Sequence, residues 1–314
     1  MFKYKLGNHP YIFFILYAFI YMTPAAYGPF LPIYLDGKGF DRTAIGLILG
    51  MGPLVSMISQ PLWGMAGDRS KSKNLILIIL LLGCTFSIIL FPLSDSFYYI
   101  FFIMLVFSIF NSSIFPMSDT IVLESLDTQS TKFGHIRLGG SFGYCIMVLV
   151  AGYILGESLN RMFLFGSLLF LCTFAMVLLL PVVKGHQTRE NKVAFYKLLK
   201  NRELVLLLVF QIVIMTTLSF NINFFPIFYK QLGAGNNLVA WCMFICAVAE
   251  IPFLLFADRI VNRFGIFNSL MASAAITAFR WIILYFASDI YLILFSNILH
   301  GCSYIVVMYC LAIY

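Results

Sequence analysis

Charged residues are scarce in this chain: Asp, Glu, Lys and Arg make up 11% of its 314 residues. A soluble domain carries about 25% charged residues, so this chain has too little polar surface to face water on every side. Histidine is also rare, with four residues, and no two of the seven cysteines have Cys-x-x-Cys spacing. We therefore expect no metal site, no cofactor and no catalytic centre of the Ser/His, His-rich or paired-acid kinds, so the chain is not expected to be an enzyme.

The chain is instead dominated by apolar residues, which form 61% of the sequence and give a mean hydropathy of +0.96. Segments buried in a bilayer must satisfy their own backbone hydrogen bonds, so each apolar segment is predicted to be a helix. The predicted fold is all-α, a polytopic transmembrane bundle in the lipid bilayer of the cytoplasmic membrane. Ten segments are predicted, at 11–35, 43–66, 74–94, 97–123, 136–156, 161–183, 204–229, 238–257, 266–287 and 290–312.

The basic residues indicate how these segments are oriented. With a cytoplasmic N-terminus, fourteen Lys and Arg residues in the loops lie inside and four (Lys38, Arg42, Arg161 and Lys230) lie outside. Cytoplasmic loops carry the excess of Lys and Arg, so the N-terminus is predicted to be cytoplasmic. The formal net charge of +7 is spread between apolar runs and forms no basic face, so no nucleic-acid partner is expected.

Two marks repeat along the chain at nearly the same interval. Residues 30–35 (FLPIYL) resemble residues 224–229 (FFPIFY), and the interval from Pro32 to Pro226 nearly equals that between the Asp-Arg pairs at 68–69 and 258–259. The repeat predicts a 6+6 plan in which residues 1–183 form a six-helix bundle, 184–203 a basic cytoplasmic linker, and 204–314 a second bundle. Only four segments follow the linker, so we expect a chain truncated at its C-terminus by two helices.

Five ionisable residues lie inside predicted helices: Asp119, Arg137, Glu250, Arg280 and His300. Each costs about 2.5–3.5 kcal/mol at the centre of a membrane helix and therefore marks a functional site by default. Purely structural ion pairs between Asp119 and Arg137, or between Glu250 and Arg280, remain an alternative, as does a packing role for His300. The glycines at 139, 140, 143 and 152 indicate close helix packing rather than a phosphate loop.

The loop at 64–73 (GMAGDRSKSK) contains Gly64, Gly67, Asp68 and Arg69, and a weaker copy contains Asp258 and Arg259. As residues alone they fit a tight turn with cytoplasmic positive charges. Together they resemble the signature loop of the major facilitator superfamily and its repeat. The resemblance implies that these six residues gate the conformational change and do not contact the solute.

Residues 133–140 (FGHIRLGG) resemble the start of the fifth helix of the lactose permease family, in which the arginine pairs with a carboxylate of the preceding helix, at the position of Asp119 here. By this resemblance Asp119 and Arg137 bind substrate, and Arg280 and His300 couple protons. The chain departs from that family where Ser303 replaces its proton-carrying glutamate. The other glutamate of that family, in its eighth helix, aligns with Ala247, one turn before Glu250 and on the same face. We therefore also expect Glu250 to couple protons, with a proton on Glu250 or His300 neutralising the site and allowing reorientation.

Glu250, the pair Arg280-Trp281 and residues 299–301 (LHG) are also similar to the phenylpropionate permease branch, which is related to nucleoside–proton symporters. The similarity extends from the first span to the end of the chain and implies that Trp281 lies at the substrate site. The predicted function is proton-coupled import of a small polar or aromatic solute (sugar, nucleoside or aromatic acid) by a monomer. The alternatives are a proton-antiport exporter of drugs or metabolites and a non-transporting sensor or scaffold.

Overall fold

The structure is a computed structural model that describes residues 10–126, 133–156, 158–185, 202–303 and 306. Within these ranges all regular structure is helical, and the chain divides into two compact units, Met1–Thr188 and Arg189–Tyr314. The division lies inside the predicted linker 184–203, of which residues 186–201 are outside the described ranges, so the linker remains a prediction.

The described residues of unit 1 form eight α-helices and a short 3-10 helix, Phe91–Leu93, which continues α4. The α-helices are α1 (Pro10–Tyr27), α2 (Leu31–Gly37), α3 (Arg42–Arg69), α4 (Lys73–Leu90), α5 (Phe97–Asn111), α6 (Ile114–Ser125), α7 (Phe133–Leu155) and α8 (Arg161–Val177). Unit 2 contains α9 (Arg202–Gln231), α10 (Asn236–Phe264), α11 (Ile266–Phe286) and α12 (Ile290–Ser296), followed by the 3-10 helix Asn297–Cys302.

All ten predicted segments are helical in the described residues. Eight are long and apolar enough to cross a membrane, and the remaining two are shorter apolar helices, Arg161–Val177 and Ile290–Cys302. Large apolar side chains such as Met57, Ile58 and Leu164 are exposed on these helices, as expected for surfaces that face lipid. The chain is therefore a multi-pass membrane protein.

Two spans of unit 1 are broken within the membrane. The first breaks between α1 and α2, where a Cβ on Gly28 would lie only 2.6 Å from the carbonyl oxygen of Pro24. The span formed by α5 and α6 breaks at Ser112, whose carbonyl accepts a hydrogen bond from the Gln60 side chain (2.8 Å). Carbonyls freed by a break in hydrocarbon need such partners, and at Ser112 α3 supplies one.

The glycines at 139, 140 and 143 allow α7 to pack directly on α1. A Cβ on Gly139 would overlap the carbonyl oxygen of Phe14, and one on Gly143 would overlap the carbonyl oxygen of Ala18. A Cβ on Gly140 would lie 2.6 Å from the ring of Tyr21. The predicted role of these glycines in close helix packing is confirmed, because contact between helix backbones requires residues without a side chain.

A buried lysine joins helix ends at one side of unit 1. Lys73 is 3% exposed, and its Nζ lies 2.5 Å from Glu124 Oε1 at the end of α6 and 3.7 Å from Asp68 Oδ1 at the end of α3. Its backbone N–H donates to the carbonyl of Val183 (2.8 Å), beyond α8. One residue thus ties the ends of three helices together.

We expect Lys73→Met to lower the free energy of unfolding by about 1–3 kcal/mol, because the substitution breaks the ion pair of a buried ammonium group with a carboxylate, Glu124, that is partly solvated. The measurement is the thermal unfolding midpoint of the purified chain in detergent. Lys71→Met is the matched control, since Lys71 lies in the same loop and is exposed. Equal midpoints for the two variants would contradict the assignment.

The helices of unit 2 repeat the register of unit 1. Asn236 starts α10 as Arg42 starts α3, Ile266 starts α11 as Lys73 starts α4, and Ile290 starts α12 as Phe97 starts α5. The intervals between these paired helix starts are nearly equal and agree with the interval between the two prolines of the sequence repeat. The repeat is not exact, because α9 is continuous through its proline whereas α1 and α2 are separate. Positions in the two units can therefore be paired.

Candidate functional site

Arg280 is the centre of a buried polar cluster in unit 2. It lies on α11, is 2% exposed, and donates through Nη2 to Asn297 Oδ1 (2.7 Å) and Asn221 Oδ1 (3.3 Å). Its Nη1 lies 3.1 Å from Nδ1 of His300. These three partners are uncharged groups, and Nε has no hydrogen-bond partner among the described residues. The Nε–H group of the guanidinium therefore remains available as a donor inside the protein.

The contacts of His300 determine its tautomer. A guanidinium can only donate, so Nδ1 of His300 must accept from Arg280 and carries no proton. The proton is then on Nε2, which lies 3.3 Å from Oε1 of Glu250 on α10. The result is a relay in which a buried cation, a neutral imidazole and a carboxylate follow one another. Glu250 is its most exposed member, with a side chain 33% exposed against 11% for His300.

Close backbone packing places His300 against α10. His300 lies in the 3-10 helix that follows α12, and a Cβ on the next residue, Gly301, would overlap the carbonyl oxygen of Ala249. Only glycine permits this approach, which brings the 3-10 helix to the turn of α10 that carries Glu250. A 3-10 segment within a span is typical of a hinge or functional site.

Asn297 completes the cluster. It is 1% exposed, and its Oδ1 accepts from Arg280 and from the thiol of Cys246 (3.3 Å). Its Nδ2 donates to the carbonyls of Ile293 (3.0 Å) and Leu294 (3.3 Å), at the junction of α12 and the 3-10 helix. Two acceptor lone pairs and two donors are all that an amide has, so its orientation is fixed.

Three of the five positions of this cluster are aromatic or apolar in unit 1. By the register of the paired helix starts, His300 pairs with Phe107 and Asn297 with Met104, and by the interval between the two prolines Asn221 pairs with Tyr27. Glu250 and Arg280 pair with the serines Ser56 and Ser87. Tyr27 and Phe107 pack edge to face with ring centroids 5.7 Å apart. Aromatic packing thus satisfies the helix framework where Tyr27 and Phe107 meet, so the fold does not require Asn221 and His300 at the paired positions.

A second polar group lies in unit 1 and joins α1, α6 and α7. The Tyr17 hydroxyl donates to the carboxylate of Asp119, and Arg137 interacts electrostatically with Tyr17, Tyr21 and Asp119. The ring of Tyr21 packs edge to face on Phe115, with centroids 4.9 Å apart. Asp119 is half-buried and Arg137 is exposed. A carboxylate, a guanidinium and two aromatic rings can together bind a polar solute that carries a flat face.

The structure therefore brings both predicted pairs together, but each contact differs from a simple ion pair. Asp119 and Arg137 are not among the ion pairs within 4.0 Å in the described residues, because the Tyr17 hydroxyl binds Asp119. Glu250 reaches Arg280 only through His300. Trp281 packs on Phe220 with centroids 5.9 Å apart, and its predicted contact with substrate remains a prediction.

The predicted gating residues of unit 1 lie at the end of α3. Gly67 is buried, and a Cβ there would lie 2.8 Å from Met117 Cε on α6, so this glycine permits close helix contact. Gly64 has no described atom within 4 Å of the Cβ position. Asp68 is exposed and pairs with Lys73 of its own loop, while Arg69 is exposed as the last residue of the helix.

The second copy of the gating motif lies inside α10 and not at its end. Arg259 is exposed over the ring of Phe256 (5.8 Å), and α10 continues to Phe264. The side chain of Asp258 lies outside the described residues. Counted from the helix starts, Arg263 occupies the position of Arg69, so the sequence copy is shifted by about one turn. Gating by these residues remains a prediction.

Sequence analysis missed the neutral members of both groups, namely Tyr17, Tyr21, Asn221 and Asn297. Neutral side chains in a span give no charge signal. Their spacing could have identified one of them, because Asn297 lies three residues before His300 and therefore on the same face of a helix.

Comparisons with known proteins agree with this architecture. The family model described as the MFS_1 like family matches residues 11–314. The maltose permease of Geobacillus stearothermophilus is 29% identical over 96% of this chain and 77% of its own length. The multidrug resistance protein MdtG of Rahnella sp. (strain Y9602) is 26% identical over 79% of the chain and 64% of its length. The crystal structure of the nucleoside transporter NupG superposes with a TM-score of 0.84 at 18% identity, covering 96% of this chain and 80% of that one.

Proposed function

Since this chain belongs to the MFS_1 like family, and is thus a membrane transporter and not an enzyme, we propose that it is a proton-coupled symporter that imports a small polar organic solute. The observation that supports this most is the relay in unit 2, where the carboxylate of Glu250 lies 3.3 Å from an imidazole that contacts a buried guanidinium. The proposed mechanism is alternating access, with the N-terminus cytoplasmic.

In this mechanism the proton binds Glu250 and not His300. His300 cannot accept a second proton at Nδ1 without losing its hydrogen bond to Arg280, whereas the carboxylate has free lone pairs and is the most exposed group of the relay. A proton on Glu250 removes the negative charge that balances Arg280. The net charge of the unit 2 cluster therefore changes when Glu250 binds a proton, and this change of charge is proposed to couple proton movement to solute movement.

The solute is proposed to be a sugar, a nucleoside or an aromatic acid. Arg137 and Asp119 supply a donor and an acceptor for hydroxyl groups, and the rings of Tyr21 and Phe115 supply an apolar wall. The names of the similar proteins, a maltose permease and a nucleoside transporter, support this range.

A second candidate is export by proton antiport, which the similarity to the multidrug resistance protein favours. The two functions share a fold and differ in the direction in which protons drive the solute. The sign of the coupling therefore separates them.

The test is uptake by proteoliposomes that contain the full chain, with maltose, a nucleoside and an aromatic acid as labelled solutes. A symporter accumulates its solute when the outside is more acidic, and an antiporter when the inside is more acidic, whatever the orientation of the protein in the vesicle. We expect accumulation with the outside acidic. Accumulation only with the opposite gradient would replace symport by antiport, and facilitated entry that no pH gradient changes would exclude proton coupling.

We expect Arg137→Ala to reduce uptake at low solute concentration by about 10- to 100-fold, the scale of one lost charge-assisted hydrogen bond. Initial rates in the same proteoliposomes measure this. Arg161→Ala is the control, because Arg161 is an exposed arginine of the same unit at the start of α8. Uptake by the Arg137 variant at the control rate would remove Arg137 from the solute site.

A further inference from the structure

Asn297 holds the guanidinium of Arg280 in place. Its Oδ1 accepts from Nη2 at 2.7 Å, the shortest of the three contacts that Arg280 makes in this cluster. The amide cannot turn away, because its Nδ2 donates to Ile293 and Leu294 carbonyls on the turn before it. The orientation of Arg280 is therefore fixed by the end of α12.

This restraint determines which atom of Arg280 faces the relay. With Nη2 held by Asn297 and, at 3.3 Å, by Asn221, the other terminal nitrogen is the one that reaches His300. A buried guanidinium without this restraint is drawn to the nearest carboxylate, since direct ion pairing compensates best for lost hydration. In unit 2 that carboxylate is Glu250, at the far end of the relay.

The uncharged nature of Asn297 matters as much as its position. A carboxylate there would neutralise Arg280 permanently, and the charge of the cluster would no longer depend on Glu250. Met104 occupies the paired position in unit 1, so helix packing alone does not require an amide. The titratable or charged groups around Asn297 are Arg280 on α11, His300 on the 3-10 helix, and Cys242, Cys246 and Glu250 on α10.

From these contacts we infer that Asn297 is a positioning residue for proton coupling: it prevents a direct ion pair between Arg280 and Glu250. The negative charge of Glu250 is then balanced by Arg280 through His300, and the carboxyl group is released from His300 when it binds a proton. The inference rests on the proposed symport function and adds a residue that neither charge nor motif identifies. It assigns no contact with solute to Asn297.

The test compares two activities of the full chain in proteoliposomes, solute exchange without a pH gradient and accumulation driven by an acidic outside. Asn297→Asp has nearly the same shape as the native side chain and adds a charge. We expect it to retain exchange and to lose gradient-driven accumulation roughly tenfold or more, the scale of one charge-assisted hydrogen bond. If the ratio of accumulation to exchange in this variant equals that of the native chain, the inference is wrong. An equal loss of both activities would also overturn it, because that result indicates a structural role only.

Two further variants complete the design. Asn268→Asp is the matched control, since the Asn268 side chain is exposed and also donates to the carbonyl four residues earlier (Phe264, 2.9 Å). We expect both of its activities to be native. Asn297→Met, the unit 1 residue, frees Arg280 without adding a charge and is also expected to lose accumulation while retaining exchange; native accumulation would overturn the inference. If the native chain shows no gradient-driven accumulation at all, the proposal of symport is wrong. That result differs from the one that overturns the role of Asn297, in which the variants show the same ratio of accumulation to exchange as the native chain.

Discussion

Arg280→Ala is expected to reduce gradient-driven uptake by two orders of magnitude or more. The substitution removes the donor to Nδ1 of His300 and the charge that Glu250 balances, and it leaves the amide oxygens of Asn221 and Asn297 without the guanidinium. Breaking a buried network of this kind by removing one member costs about 3–5 kcal/mol. Initial rates in proteoliposomes, corrected for the amount of folded protein, measure the effect.

Two comparisons make this prediction specific. Arg280→Lys keeps the charge but replaces a fork of donors with one ammonium group, which cannot reach His300 and both amides together, so we expect no recovery of coupled uptake. Arg202→Ala removes an exposed arginine of the same unit, at the start of α9, and is expected to transport at the native rate. Coupled uptake by Arg280→Ala near the native rate would exclude the relay while leaving the fold intact.

The spans were predictable from sequence because lipid leaves the backbone little choice. A long apolar segment must be helical, so hydropathy and length alone located all ten segments. Their ends were less predictable: α8 ends at Val177 against a predicted 183, and α10 continues to Phe264 against a predicted 257. The breaks within the spans were not predictable in the same way. Proline marks the break between α1 and α2, yet the similar motif around Pro226 lies in the continuous helix α9, and the break at Ser112 has no glycine or proline beside it.

The candidate site was predictable in part and for a related reason. A charge inside a span is costly, so Glu250, Arg280 and His300 could be identified from their positions within apolar segments of the sequence. A buried asparagine carries no such signal, and whether its amide faces a partner depends on which helices meet. The order of the contacts was also hidden, because sequence indicates that Arg280 and Glu250 can pair but not that His300 lies between them.

The paired register of the two units gives a physical reason to treat the site as functional. Tyr27, Phe107 and Met104 satisfy in unit 1 the positions that carry Asn221, His300 and Asn297 in unit 2. Apolar residues of similar volume are often as stabilising as a buried ionic network, or more so. Asn221, His300 and Asn297 therefore have aromatic or apolar counterparts within the same chain, and stability alone does not explain their presence.

Gly143→Ala is expected to have the second large effect, through the contact between α1 and α7. The added methyl would overlap the carbonyl oxygen of Ala18, a backbone atom that cannot rotate away, so the helices must separate. Overpacking of this kind costs about 1–3 kcal/mol. Separation also moves Tyr17 and Tyr21 on α1 away from Arg137 on α7, so we expect both a lower thermal unfolding midpoint and an uptake reduced about tenfold or more.

The control for this prediction is Gly50→Ala. Gly50 lies within α3, and no atom lies within 4 Å of its Cβ position in the described structure, so alanine there is expected to be neutral or to stabilise the helix by up to about 1 kcal/mol. Unfolding midpoint and uptake are to be measured for both variants, because their combination separates the two consequences of helix separation. A lower midpoint with native uptake would mean that Tyr17, Tyr21 and Arg137 do not act on the solute as one group. A native midpoint would mean that α1 and α7 do not pack at Gly143.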